Sequence, residues 1–140
     1  MKECGKNYAA VLKGKHDIDI LHLNDPALHA HQVRVAIQTS AICGTQIGEW
    51  DMSRGPDRYL PHCFGHEAVG RVLEVGDAVI GLSVGDRVVI SWMKAGADCH
   101  EPPKFKEESG ADVNFGQCCT FVTRGVFAGN RVFKIDQVLK

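Results

Sequence analysis

The stretch Gln32-Val33-Arg34-Val35-Ala36-Ile37-Gln38-Thr39-Ser40 puts Val33, Val35, Ile37 and Thr39 on one side of an extended chain and Arg34, Ala36 and Gln38 on the other. Successive side chains of a strand point to opposite faces, so this two-residue period predicts a half-buried strand. Asp25-Pro26 breaks the path before it. Similar segments recur on both sides. Residues 8–12 read as a strand, and residues 17–23 set Ile18, Ile20 and His22 against Asp17, Asp19 and Leu21, a strand with one wet face. Residues 67–75, 87–92, 119–123 and 131–135 are further apolar, β-branched strand candidates. Gly76-Asp77 and Gly85-Asp86 mark turns, and Gly55-Pro56-Asp57 with Pro61 marks a loop over residues 53–61. Residues 45–50 predict one short helical turn with Thr45 as its cap. Residues 95–114 are polar, carry Pro102-Pro103, and read as an irregular excursion with no core of its own. Many short strands and few helices define a mainly β fold, a small barrel or sandwich.

The chain has 140 residues, which makes a single domain spanning 1–140 the expectation and allows a real core. Sixteen basic and seventeen acidic side chains leave a formal charge of −1, so neither nucleic acid nor an anionic membrane is an expected partner. The apolar runs are too short to span a bilayer, and the first residues contain no apolar signal segment. Six cysteines without an export signal point to free or metal-bound thiols in a reducing cytoplasm. No internal repeat is visible, and no G-x-G-x-x-G follows a strand, so this chain shows no dinucleotide site of its own.

Two short motifs carry the chemistry: Cys43-Gly44-Thr45, and Gly65-His66-Glu67 followed by Gly70. A thiol and an imidazole are the ligand types zinc prefers. One of each is too few to close a structural site, and suits an open one that leaves a position for water or substrate. Taken alone, each of these residues has an ordinary reading: Cys43 as a buried thiol, His66 as a satisfied core residue, Glu67 as the partner of a nearby base, Thr45 as a plain helix cap. Cys63, three positions before His66, reads as core, and Cys4, Cys99 and at least one of Cys118 and Cys119 read as ordinary thiols. Trp50, Met52 and Trp92 are candidates for either core or a cleft wall.

The order and spacing of Cys43-Gly44-Thr45, of residues 60–72 (Leu-Pro-His-Cys-Phe-Gly-His-Glu-Ala-Val-Gly-Arg-Val) and of Val84-Gly85-Asp86-Arg87-Val88 resemble the N-terminal catalytic domain of the zinc-dependent medium-chain alcohol dehydrogenases. Residues 121–135 resemble the strand pair that ends that domain. The resemblance implies a GroES-like, partly open β-barrel with a few short helices. It implies zinc held by Cys43 and His66, with Glu67 close to the metal to tune its charge or to replace water transiently as a ligand, a third ligand just beyond Lys140, and Thr45 as proton relay. It further implies NAD or NADP on a following Rossmann domain, a small alcohol or carbonyl substrate, a full-length enzyme open to homo-oligomer formation, and no turnover by this chain alone.

The chain departs from the pattern at several positions. Many relatives have Asp where Gln46 stands, a change near the metal that weakens zinc binding, and a proton-relay His where Ile47, Gly48 and Glu49 stand. Between Trp92 and Val113 only Cys99 is present, so the four-cysteine lobe of many relatives cannot be built. The row Asp98-Cys99-His100-Glu101 reads as loop, because neighbouring residues rarely converge on one ion. Two alternatives stand beside the oxidoreductase reading: a non-catalytic GroES-like interaction module, and a zinc-free quinone-reductase relative. Cys43, Thr45, His66 and Glu67 together weigh against both.

Overall fold

A computed structural model describes residues 5–96 and 102–135. Ten strands and one α-helix follow in chain order: β1 (Asn7–Gly14), β2 (Asp17–Asn24), β3 (Gln32–Ser40), α1 (Gly44–Asp51), β4 (His62–Cys63), β5 (Glu67–Val75), β6 (Arg87–Ser91), β7 (Phe105–Glu107), β8 (Asp112–Val113), β9 (Arg124–Ala128) and β10 (Val132–Lys134). They form two five-stranded sheets, ordered β4-β1-β2-β7-β8 and β10-β6-β5-β3-β9. The first sheet bends round until its ends meet. Cys63 N–H donates to Asn114 O (2.9 Å), and Asn114 N–H to Pro61 O (2.9 Å). The fold is mainly β, as the strand pattern predicts, and is the partly open barrel that the family resemblance implies.

One core joins both sheets. Val11, Leu23, Phe105 and Val113 from the first pack with Val33, Val35, Val72, Val88, Ile90, Val126 and Phe127 from the second. In β3, Val33 and Val35 are fully buried, as their period predicts. β3 lies between β5 and β9, and β5 between β3 and β6. Gly70 of β5 makes this close pairing possible, since a Cβ there would lie 2.4 Å from Ala36 O of β3.

The structure corrects four readings. In β2 both faces of residues 17–20 are exposed, Ile18 and Ile20 included (43% and 68%), and only beyond them does one face turn inward, with Leu23 buried and Leu21 packed on the core. Residues 119–123 are not a strand beyond one bridge, Ala9 to Val122. The N–H groups of Thr120 and Phe121 both reach Phe64 O, which bends this segment between the sheets, and the strand begins at Arg124. The 95–114 excursion is irregular only in part: β7 pairs antiparallel with β2, and Phe105 and Val113 are core residues. Finally, the helix cap is Cys43 and not Thr45. Cys4 and the row Asp98-Cys99-His100-Glu101 lie outside the described residues.

Candidate metal centre

The end of β3 and the start of β5 are stitched together. Ala41 N–H and the Ser40 hydroxyl both donate to Glu67 O, at 3.0 and 3.1 Å. This fixes the loop that carries Cys43 beside the strand that begins after His66. Gly65, just before His66, takes a positive φ of +89°, and a Cβ there would meet Thr120 Oγ1 at 2.4 Å. The sharp turn that presents His66 therefore requires glycine.

Cys43 is the N-cap of α1, with extended φ and ψ of −103° and 156°. Gln46, at the third helical position, reaches back so that its Oε1 accepts from Cys43 N–H at 2.8 Å, the returning half of a capping box. This bond sets the helix cap two residues before Thr45. The other end of the same amide, Gln46 Nε2, lies 2.8 Å from His66 Nδ1. One buried side chain thus joins the Cys43 backbone to the His66 ring. Thr45 Oγ1 lies 3.6 Å from Cys43 Sγ, and His66 Nε2 lies 3.7 Å from Glu67 Oε1.

The Thr45 backbone N–H and, after it, the Thr45 hydroxyl draw the Cys43 thiol below its ordinary value, against burial and the Glu67 charge. A thiol at a helix N-terminus gains thiolate character in this way. The other described cysteines are different. Burial pushes Cys63 and Cys118 up to about 12, and Cys119 also well up. These are inert thiols, and all four described cysteines are free.

A cleft of about 730 Å³ opens beside the motif, lined by the polar Gln46, Glu49, His62 and His66 and by the apolar Phe105 and Phe115 among others. Thr45 faces a smaller adjoining depression of about 320 Å³, which it shares with Glu49, Met52 and Tyr59. Two features went unseen in the sequence. His62 Nε2 pairs with Asp57 Oδ2 at 2.8 Å while its Nδ1 lies 2.9 Å from Cys63 O. Burial also raises the Glu49 carboxyl above its usual range. The Gly55-Pro56-Asp57 turn signal marked the loop but not its reach to His62. Trp50 lies against the His16 ring (centroids 4.3 Å apart) and Trp92 is 57% exposed, so neither belongs to the core.

The donor chemistry suits zinc: a thiol favoured as thiolate, an imidazole, and a carboxylate beside it. Among the described residues, however, no three His, Cys, Asp or Glu side chains converge closely enough to hold an ion. The described residues supply donors of the right kinds and not a closed cage.

The fold and this motif define the class, a small barrel bearing a Cys-Gly-Thr turn opposite a Gly-His-Glu strand start. The family model for the alcohol dehydrogenase GroES-like domain matches residues 29–140, and the chain belongs to that family. Its relatives include sorbitol dehydrogenase of Bombyx mori, 39% identical over 87 residues, covering 61% of this chain and 25% of that protein. Sorbitol dehydrogenase 1 of Saccharomyces cerevisiae is 42% identical over 88 residues, covering 60% and 24%. The chain thus spans about a quarter of the length of these curated relatives. An alcohol dehydrogenase zinc-binding domain protein from Burkholderia ambifaria superposes with a TM-score of 0.82 at 20% identity, over 95% of this chain and 42% of that one. 2R,3R-butanediol dehydrogenase from Bacillus subtilis does so at 0.71 and 24%, over 96% and 42%. At such identities the structural likeness carries the fold.

Proposed function

We propose that residues 1–140 act as the catalytic domain of an alcohol dehydrogenase-like oxidoreductase that interconverts an alcohol and an aldehyde or ketone. Cys43 and His66 would hold zinc, with Glu67 beside them, and a separate domain would carry most of the contacts to NAD or NADP. The observation that carries this reading is the Gln46 amide, hydrogen-bonded at one end to Cys43 and at the other to His66. It ties together the two residues whose chemistry suits one ion. When bound, zinc supplies Lewis-acid polarisation of the substrate oxygen and the nicotinamide supplies or takes the hydride.

The chain's own residues do the rest. The helix N-terminus keeps Cys43 inclined to thiolate. The Thr45 hydroxyl, half-buried beside Cys43, accepts a hydrogen bond from a substrate hydroxyl and passes its proton towards the outer depression. Glu67 lies beside the imidazole and contributes negative charge. The apolar lining of the cleft excludes water from the substrate carbon chain. Free thiols accord with a cytoplasmic protein.

The test is the zinc content and affinity of the 140-residue chain compared with Cys43→Ser and His66→Ala. It is joined to NAD- and NADP-linked turnover of a panel of alcohols, polyols and aldehydes by the longest form the gene encodes. Each substitution should lower zinc affinity by more than the roughly 10–100-fold that follows loss of an outer-shell partner. Turnover should fall with it. Undiminished turnover by a double variant without metal would overturn the reading.

A further inference from the structure

The Gln46 side chain is buried, and both ends of its amide are engaged. The backbone N–H of Cys43 can only donate, so the end 2.8 Å from it is the carbonyl oxygen. The other end is then the NH₂ group, which also can only donate, and it lies 2.8 Å from His66 Nδ1. Nδ1 must therefore present its lone pair. Neutral His66 carries its hydrogen on Nε2, the nitrogen that faces Glu67.

A metal-binding imidazole has the reverse need. The ring nitrogen away from the metal carries a hydrogen and donates it to an oxygen. Turning the Gln46 amide over would put its oxygen towards Nδ1, but would set its NH₂ group against the Cys43 N–H. A donor would then meet a donor at the first turn of α1. Binding through Nδ1 instead would displace the amide from its place against the ring. Either way the present arrangement cannot persist once His66 becomes a ligand.

We propose that Gln46 is a positioning residue that sets the His66 tautomer, keeping the imidazole out of its metal-ligating form until the amide releases Cys43. Metal uptake at His66 is thereby coupled to the N-terminal turn of α1. The inference rests on the reading of Cys43 and His66 as zinc ligands. Its sharpest consequence concerns glutamate, which has the same shape as glutamine but presents two acceptor oxygens. One can accept from Cys43 N–H while the other accepts from His66 Nδ1–H, and the conflict disappears.

The experiment uses the longest form the gene encodes and its Gln46→Glu variant at one fixed pH. ¹⁵N chemical shifts of the His66 ring in the metal-free proteins read the tautomer, and competition with a chelator reads Co²⁺ and Zn²⁺ affinity. Expected are hydrogen on Nε2 in the parent, hydrogen on Nδ1 in Gln46→Glu, and metal affinity about 10–100-fold higher in the variant. Should Gln46→Glu not fold, Gln46→Met removes the amide at similar length, and a share of the Nδ1–H form should appear. The same tautomer in parent and variant overturns the proposal. A changed tautomer with measurable but equal affinities overturns the gate and leaves the proposed function standing. A changed tautomer with no metal bound by either chain overturns both.

Discussion

Glu49 borders both the main cleft and the outer depression, and burial holds its carboxyl above the usual glutamate range, with the charge of His62 the largest opposing influence. An acid of this kind binds its proton more tightly in the folded than in the unfolded chain. Stability therefore declines as pH rises through the ordinary glutamate range towards the raised folded value, and stays lower above it. Glu49→Gln removes the ionisation and keeps the shape. The variant should be more stable than the parent in urea unfolding near pH 8, and the difference should vanish once pH falls below about 4. An equal gain at both pH values would assign the effect to packing instead. Nothing about the spacing of Glu49 announced this behaviour, because burial is a property of the folded chain. Cys43 and His66 were legible through their motif partners, whereas the bond that links them runs through Gln46. The sequence marks Gln46 only by a missing carboxylate.

At the scale of the element, β3 and β5 were readable to their last residues, since each carries β-branched residues and is bounded by turn chemistry. The segment holding β7 and β8 was not. Its strands are three and two residues long, too short to establish a period, and their core contacts come from single aromatic and aliphatic residues. The same limit applies to β9, whose start after the bent residues 119–123 depends on Phe64 O, far away in sequence. Phe105 shows what the short strands contribute. It is buried, stacks on Phe115 with centroids 4.2 Å apart, and Phe115 in turn meets Phe127 of the second sheet. Phe105→Ala should cost about 3–5 kcal/mol in denaturant unfolding, the range for removing a buried aromatic ring. A loss below about 1 kcal/mol would mean that β7 and β8 form a flap whose ring is not part of the main core.

For the molecule as a whole, the question is what makes two sheets one cooperative unit. Besides the shared apolar core, a polar clasp joins β1 to β9 near the first described residues. Asn7 is fully buried. Its Nδ2 donates to Asp25 Oδ1 (2.6 Å) and Arg124 O (2.9 Å), and its Oδ1 accepts from the Thr123 hydroxyl (2.8 Å) and Arg124 N–H (2.9 Å). Arg124 completes the clasp by holding Asp25 through two guanidinium nitrogens, at 3.0 and 2.9 Å. Asn7→Ala deletes four hydrogen bonds at once and leaves the part-buried Arg124 backbone groups without these partners. Each orphaned group costs on the order of 1–3 kcal/mol, offset in part where water can enter. The loss should be at least about 2 kcal/mol, enough to lower the melting temperature by several degrees in a domain of this size. Two tryptophans report on different parts of the structure, Trp50 in α1 and Trp92 just after β6. If the clasp serves the whole unit, the fluorescence of single-tryptophan versions retaining Trp50 or Trp92 should shift to the same lower midpoint, together with far-ultraviolet circular dichroism. Separate midpoints for the two tryptophans in Asn7→Ala would show instead that the clasp holds together sheets able to unfold on their own.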